Sequence, residues 1–403
     1  MKHIFSKTLL VITIIYALIG AYFMLNLSIG SGDEQLFISD LNFINKEGWI
    51  KAIEKGISLP HALIVYPLSK ILEPYIALRV TSVFCLLLLY YYIYRRNKPT
   101  LWFFIYFTFF IGTAKVFFIG TNDAFFIMAL VIFLNEIHKV IIGKEWKPSL
   151  ALIALVIAIF TRELIVIYMP ILLLGMFIAL KTKKIISKQI IAPSIVLVMC
   201  LIVNIPAFML NGKPSYDAKK PPENVNVNWT QRQYLAQLLV NEGKLPNYQH
   251  PSFVETQNYI NENGEDALPK SLLQSLFFNP QLTILEFYKD FWSIIYFGSR
   301  QLSLILLIVI GCFFINIKKL SLLNVKNYIP FSLVALTSIF ALLIISYVEL
   351  RWLVPIFIMA IIYYAYLEKV GDITKKLSVA NLALMLILIV YGVYRIVPEL
   401  IMI

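Results

Sequence analysis

Apolar residues run along this chain in long unbroken blocks, and the polar residues collect between them rather than alternating with them. A helix that crosses hydrocarbon needs roughly 20 mostly apolar residues. Blocks of that kind fall at Thr8–Leu25, Ile76–Tyr94, Leu101–Phe118, Ala124–Val140, Ser149–Phe160, Leu164–Leu180, Gln189–Leu210, Gln301–Ile317, Tyr328–Tyr347, Leu353–Leu367 and Leu377–Val397. They predict an all-α, polytopic membrane helix bundle of about eleven spans. Ser149–Phe160 is short and must borrow flanking residues. The first block follows "MKHIFSK" without a small-residue cleavage site, so it reads as a retained signal-anchor helix.

The connecting segments divide into two kinds. "YRRNKP", "HKVIIGKEWK", "KTKKIISK", "KKLSLLNVK" and "EKVGDITKK" are short and basic, and all fall on one side of the bundle if the N-terminus is cytoplasmic. The opposite side carries two longer stretches inside a single membrane domain spanning 1–403. Residues 27–75 begin with Asp33 and Glu34 and continue through "FINKEGWIKAIEKG" and "SLPHALIVYPLSKILEPY", which predict helices lying along the membrane interface. Residues 211–300 are rich in Pro, Asn, Tyr and Gln, and a loop of that length in a compact protein is functional or disordered.

Composition sharpens the class. Of 403 residues, 60% are hydrophobic and only 14% charged, well below the quarter typical of soluble domains. Most of the surplus behind the net charge of +12 sits in the short loops, which fits the positive-inside pattern and leaves little water-facing surface for nucleic acid. Cys85, Cys200 and Cys312 lie inside apolar runs and form no disulfide or zinc framework. The histidines are His3, His61, His138 and His250, none in a metal or triad spacing, and there is no phosphate-binding glycine loop.

Ionisable residues near hydrocarbon cost at least ~2.5–3.5 kcal/mol each on insertion scales, so each requires an account. The sites are Asp33/Glu34, Lys115 in "FIGTAKVFF", Asp123 in "FFIGTNDAFF", Arg162/Glu163 in "FTRELIVIY" and Glu349/Arg351 in "SYVELRWLVP". Each has an innocent alternative: structural pairs for Arg162/Glu163 and Glu349/Arg351, snorkelling for Lys115, a helix cap for Asp123 and a plain loop for Asp33/Glu34. His61, in "SLPHALIVYP", reads as an interface residue or as part of the same site. With the basic loops inside, all of these sites fall at the outer face, on the ends of different helices. Arginine forks grip phosphate oxygens, and a nearby carboxylate can take a proton from a hydroxyl acceptor. Those are the parts needed to move a sugar off a lipid phosphate. An oxygen-rich site also suits a divalent cation, magnesium or manganese, although no metal-ligand motif is present.

The same segments resemble the GT-C superfamily of membrane glycosyltransferases, which use polyprenyl- or dolichyl-phosphate sugars. The resemblance rests on an acidic motif opening the first outer loop, "GDEQLF", followed by interfacial helices and a multi-span bundle. Within the superfamily it is most similar to the dolichyl-phosphate-glucose α-1,2-glucosyltransferases, through "GDEQLF", "FFIGTNDAFF", "FTRELIVIY" and "ELRWLVP". Two departures stand out: Glu163 occupies the place of an amide, and "LPHALIVYPL" only loosely echoes a proline-rich loop end. The resemblance implies Asp33 as general base, Glu34 orienting the acceptor or substituting for it, and Arg162 and Arg351 on the donor phosphate. Asp123 and Lys115 would act on the acceptor or pyrophosphate, and the chemistry would be inverting. The implied partners are a lipid-phosphate sugar donor, a lipid-linked or glycan acceptor, and membrane lipids.

Two other classes fit part of the pattern. An O-antigen or capsule-type polymerase would rely on arginines of the large loop, such as Arg232 and Arg300. A transporter or flippase would show an inverted repeat, broken helices and charges deep on both sides. The Ile-, Lys- and Asn-rich, Gly-poor composition suits an AT-rich genome and a bacterial cytoplasmic membrane, with the N-terminus inside and the site outside. The sequons at Asn26 and Asn228 would then be silent.

Overall fold

The chain was analysed as a computed structural model that describes residues 2–27, 33–183, 186–217, 221–222, 224–316 and 327–401. The basic loop expected from Lys318, and Lys184 of the loop before it, lie outside the described residues, as does the Ser28–Gly32 lead-in to the acidic pair. Every regular element among the described residues is helical. They are α1 (Lys2–Asn26), α2 (Asp33–Glu47), α3 (Trp49–Lys55), α4 (Leu59–Leu68), α5 (Pro74–Asn97), α6 (Leu101–Ala114), α7 (Asp123–Ile141), α8 (Pro148–Thr161), α9 (Ile165–Thr182) and α10 (Lys188–Val203). There follow α11 (Ile205–Asn211), α12 (Trp229–Asn241), α13 (Phe253–Asn263), α14 (Leu272–Phe278), α15 (Pro280–Leu302), α16 (Ile305–Asn316), α17 (Tyr328–Ala341), α18 (Val354–Val370) and α19 (Lys375–Ile401).

Among the described residues six stretches are long and apolar enough to cross a membrane: Ile4–Asn26, Pro74–Asn97, Asp123–Ile141, Ile165–Thr182, Leu350–Val370 and Lys375–Ile396. A bent pair, α10 with α11, makes up to seven, and α6, α8, α16 and α17 are shorter apolar helices. Where the sequence predicts one span over Gln189–Leu210, the structure turns by 54° at Asn204. Pro206 lacks the amide proton a continuous helix needs, and the Asn204 side chain turns back on its own helix, its Nδ2 donating to the Cys200 carbonyl at 2.7 Å beside the Asn204 amide at 3.2 Å. The span predicted over Leu101–Phe118 stops at Ala114, because Lys115 adopts a left-handed conformation (φ 58°) and closes α6.

Two compact units make up the chain. The first comprises residues 1–218, 299–333 and 351–403, and α7 is its axis: phenylalanine, leucine, valine and alanine side chains are buried all round that helix. A helix apolar on every face belongs in a bundle interior rather than at its rim. α18 is buried almost as completely. α1 and α6 cross at two glycines. A Cβ on Gly20 would lie 2.9 Å from the Gly112 carbonyl oxygen, and one on Gly112 would lie 3.0 Å from the Ala17 Cα. Small residues at such crossings let helix backbones meet in a membrane.

The short helices of the first loop have their own apolar seam. Phe37 and Leu41 of α2 pack with Val65, Ala77 and Leu78, while Ile44 joins Ala52, Ile53, Ile57, Leu59, Ala62 and Ala207. The second unit, residues 219–298 and 334–350, packs Val227, Tyr234, Leu235, Ile260, Leu268, Leu282 and Ile344 together. α12 and α13 each begin with a capping box, at Asn228 and Ser252, so the polar segment expected as a large loop carries well-formed helix starts.

Gly112→Leu should prevent the α1–α6 crossing, an overpacking cost of about 1–3 kcal/mol or more. The expected outcome is a smaller monodisperse peak on size exclusion in detergent and a lower melting temperature, with Gly311→Leu, where an added Cβ meets nothing within 4 Å, as the comparison.

Candidate functional site

Four of the ionisable residues singled out in the sequence meet in the first unit. Asp33 opens α2 and Asp123 opens α7, so both carboxylates sit where a helix macrodipole favours negative charge. Arg351 lies in a 3-10 turn, Leu350–Leu353, and bridges the two. Its Nη1 donates to Asp123 Oδ2 at 2.9 Å and its Nη2 to Asp33 Oδ2 at 2.5 Å. Arg162 pairs with the other oxygen of Asp123. The result is a chain of alternating charges: Asp33, Arg351, Asp123, Arg162.

Local structure explains each placement. α8 ends at Thr161 because Arg162 turns to extended backbone (φ −152°, ψ 135°). That leaves the Thr161 carbonyl free for Ser58 Oγ at 2.8 Å and Asn122 Nδ2 at 3.4 Å. Thr121 Oγ1 donates to Asp123 Oδ2 at 3.0 Å and fixes the carboxylate from its own turn. The fully buried Tyr168 of α9 donates its hydroxyl to the Trp352 carbonyl and anchors the turn that carries Arg351.

A further carboxylate, Asp217, joins the cluster and had drawn no attention in the sequence. Ser215 positions its segment, accepting from the Ile57 amide at 2.8 Å while its own amide donates to Asn204 Oδ1 at 2.8 Å. Tyr216 donates to the Ile159 carbonyl at 2.8 Å. Asn122 Nδ2 then reaches Asp217 Oδ1 at 3.1 Å. Loss of hydration pushes the half-buried Asp217 carboxyl up to about 6, Arg162 and Asn122 pull it back, and Asp33 adds a small upward push.

Glu34, adjacent to Asp33, is engaged elsewhere. Arg79 of α5 holds it through two bonds, Nε to Oε1 at 2.7 Å and Nη2 to Oε2 at 2.8 Å, and the Gly120 amide donates to Oε1 at 3.1 Å. A Cβ on Gly120 would clash with that oxygen, so the glycine permits the approach. Arg79 Nη1 also caps the Leu25 carbonyl at 2.8 Å, tying the end of α1 to α2, α5 and the Gly120 turn. Glu34 thereby supports the frame of the cluster.

The remaining predicted residues are dispersed. Lys115 places its ammonium 4.8 Å from the Phe23 ring centre. Glu163 is exposed and pairs with Lys213 at 2.9 Å, a surface contact of small energetic weight. His61 is buried edge-on to Phe37, with ring centres 5.5 Å apart. Glu349 belongs to the second unit. Among the described residues no group of three or more His, Cys, Asp or Glu side chains could hold a metal ion. The nearest carboxylates, Asp33 and Asp123, already face guanidinium groups, so the residues present do not fit a magnesium or manganese site.

Two outcomes test this geometry. Glu34→Gln should destabilise the protein by about 3–5 kcal/mol, since it leaves Arg79 buried without its counter-charge; chemical unfolding in detergent micelles reads it. Asp217→Asn should act with the opposite sign. A carboxyl whose folded pKa is raised costs stability once it must ionise, so the cost is absent below about 4 and complete above about 6. The variant is expected to melt higher than wild type at pH 7.5, with the gain vanishing as the pH approaches 4.

No family model, curated protein or solved structure matches the chain, so the chemistry of this cluster is what bears on function.

Proposed function

We propose that the protein is an integral-membrane glycosyltransferase of GT-C type that moves a sugar from a polyprenyl-phosphate-linked donor to a lipid-linked glycan, lipid or cell-envelope acceptor, with inversion. The bundle then has about eleven spans, an N-terminus inside, and first-loop helices along the outer interface. The observation that carries the reading is the Asp33–Arg351–Asp123–Arg162 chain, two guanidinium groups and two carboxylates held at helix starts in a largely apolar bundle.

In this reading the donor phosphate competes with Asp33 for Arg351. As Arg351 turns to the phosphate, Asp33 is released beside it and becomes the proton acceptor for the incoming hydroxyl. The bond between the anomeric carbon and the phosphate oxygen breaks, and the acceptor oxygen bonds to that carbon from the opposite face. The hydroxyl proton passes to Asp33, and the lipid phosphate leaves with its charge matched by Arg351 and Arg162. Asp123 keeps both arginines aimed throughout. Asp217, with a carboxyl near 6, is a second base within the same electrostatic field.

One observation favours a second reading, a non-catalytic carrier of lipid-linked substrates. α10 and α11 form a broken helix, as transporter sites often do. The break here supports Ser215 through Asn204, however, and so serves the placement of Asp217.

Purified protein should transfer label from at least one of a panel of radiolabelled polyprenyl-phosphate hexoses to a membrane lipid extract. Asp33→Asn is expected to lower the rate by about 10²–10⁴-fold with donor binding intact. Arg351→Gln should weaken donor binding itself. Transfer that survives Asp33→Asn and is lost in Asp217→Asn would move the base to Asp217. No transfer from any donor by folded protein, with labelled lipid crossing the bilayer of proteoliposomes, would replace the enzyme by the carrier.

A further inference from the structure

α7 carries charge chemistry at both ends. Asp123 opens it, and His138 and Lys139 lie in its last turn, 15 positions further on and about 22 Å away along the helix. At that far end a small cleft of about 50 Å³, partly open to solvent, is lined by Lys98, Lys139, Lys144, Lys369, His138 and Thr100 among others, and no carboxylate lines it. A concentration of lysines on one side of a membrane protein is ordinary. Three further features set this one apart.

His138 is only 3% exposed, and neither ring nitrogen has a hydrogen-bond partner. The ring is held edge-on between Tyr363 and Tyr366, so it lines the cleft in a fixed orientation. Burial of a polar ring with both nitrogens unmet is costly unless something else meets them. Next, α6 begins at the cleft. Its N-cap, Thr100, lines the cleft and makes no side-chain cap, so the positive end of the helix dipole lies beside the same space. Last, the lysines make no ion pairs that would neutralise them. Among the described residues Lys98, Lys144 and Lys369 make no ion pair, and Lys139 donates only to the Arg96 carbonyl, at 2.5 Å. The nearest buried acid, Glu136, is already saturated. It accepts from Arg96 Nε and Nη2 at 2.8 Å each, from the Tyr92 hydroxyl at 2.8 Å and from the Lys147 amide at 2.9 Å.

We propose that this cleft, at the end of the bundle opposite the Asp–Arg cluster, is a binding site for a phosphate group. Ammonium groups, an imidazole donor and the positive end of a helix dipole together supply what a compact anion with several acceptor oxygens requires. A hydrogen-bonded carboxylate would satisfy fewer of these donors, and a neutral ligand would leave the lysines facing one another. The phosphate can reach the cleft as a lipid headgroup or as a soluble phosphate compound. The site stands independently of the glycosyltransferase reading, since none of its residues touches the Asp–Arg cluster.

The test uses full-length, delipidated protein in detergent with two probes. Phosphatidylglycerol adducts are counted by native mass spectrometry, and inorganic pyrophosphate is titrated calorimetrically. The triple variant Lys98→Gln/Lys144→Gln/Lys369→Gln changes exposed residues only and should fold. His138→Phe keeps the ring contacts with the tyrosines and removes the nitrogens. A control triple, Lys181→Gln/Lys188→Gln/Lys376→Gln, lowers the charge equally among exposed lysines outside the cleft. Both cleft variants are expected to weaken the bound probe by about tenfold or more, with the control unchanged. Lipid retention alone identifies a headgroup site, and pyrophosphate binding alone a soluble ligand. Absence of binding by both probes to wild type, an equal loss in the control, or wild-type binding by both cleft variants would overturn the proposal.

Discussion

A guanidinium group shared between two carboxylates organises the first unit. Arg351 comes from a turn before α18, Asp33 from the start of α2 and Asp123 from the start of α7, segments far apart in the chain. None of these charges could be left alone in so apolar a bundle, because removing a charge from water without a partner costs several kcal/mol even after relaxation. The attraction therefore constrains where three helix ends can sit. Much of the surrounding polar structure follows from holding them there, including the Thr121 hydroxyl, the Tyr168 bond to Trp352 and the Ser58 and Asn122 contacts to Thr161.

Adjacent residues are used in opposite ways within this arrangement. Asp33 faces Arg351 at the accessible edge, whereas Glu34 is locked by Arg79. Successive residues at a helix start point about 100° apart, so one turn can both present a carboxylate to the cluster and brace the frame behind it. The same division appears at Arg162 and Glu163: the first enters the cluster, and the second pairs with Lys213 in solvent.

The sequence exposed what hydropathy makes conspicuous. Asp33, Asp123, Arg162 and Arg351 interrupt or border apolar blocks, and a charge in that position requires a partner wherever the chain folds. Arg79 escaped notice because it lies near the start of a block whose other residues keep it apolar on average, and no local pattern ties it to Glu34, 45 positions earlier. Asp217 was hidden for the opposite reason. It stands in a polar segment where a carboxylate is unremarkable, and only the Ser215 and Asn204 contacts carry it into the cluster. Helix ends were legible to within a few residues where proline, glycine or a charge marked them. The bend at Asn204 was marked too, by Asn204 and Pro206, but the apolar block around them is long enough to read as one span. Lys115 and His61 stand out equally in the sequence, yet their surroundings are a Phe23 ring and a Phe37 edge, a distinction that tertiary packing alone makes.

Exposure within the cluster decides which ion pair can open. The Asp123 side chain is 2% exposed and that of Arg162 13%, while Asp33 and Arg351 are 19% and 21% exposed. Charge exchange is cheapest where water can follow it, so Asp33–Arg351 is the pair an incoming anion would open at least cost, and Asp123–Arg162 the pair that burial holds more firmly. Counted as ionised, the Asp33, Asp123, Arg162 and Arg351 side chains sum to zero, and Asp217 adds a charge that its pKa near 6 holds only weakly. Any anion entering the cluster would add to that negative charge, and proton uptake at Asp217 would offset part of it. A carboxyl poised near neutrality is thus the group in this cluster whose charge an incoming ligand would shift most easily.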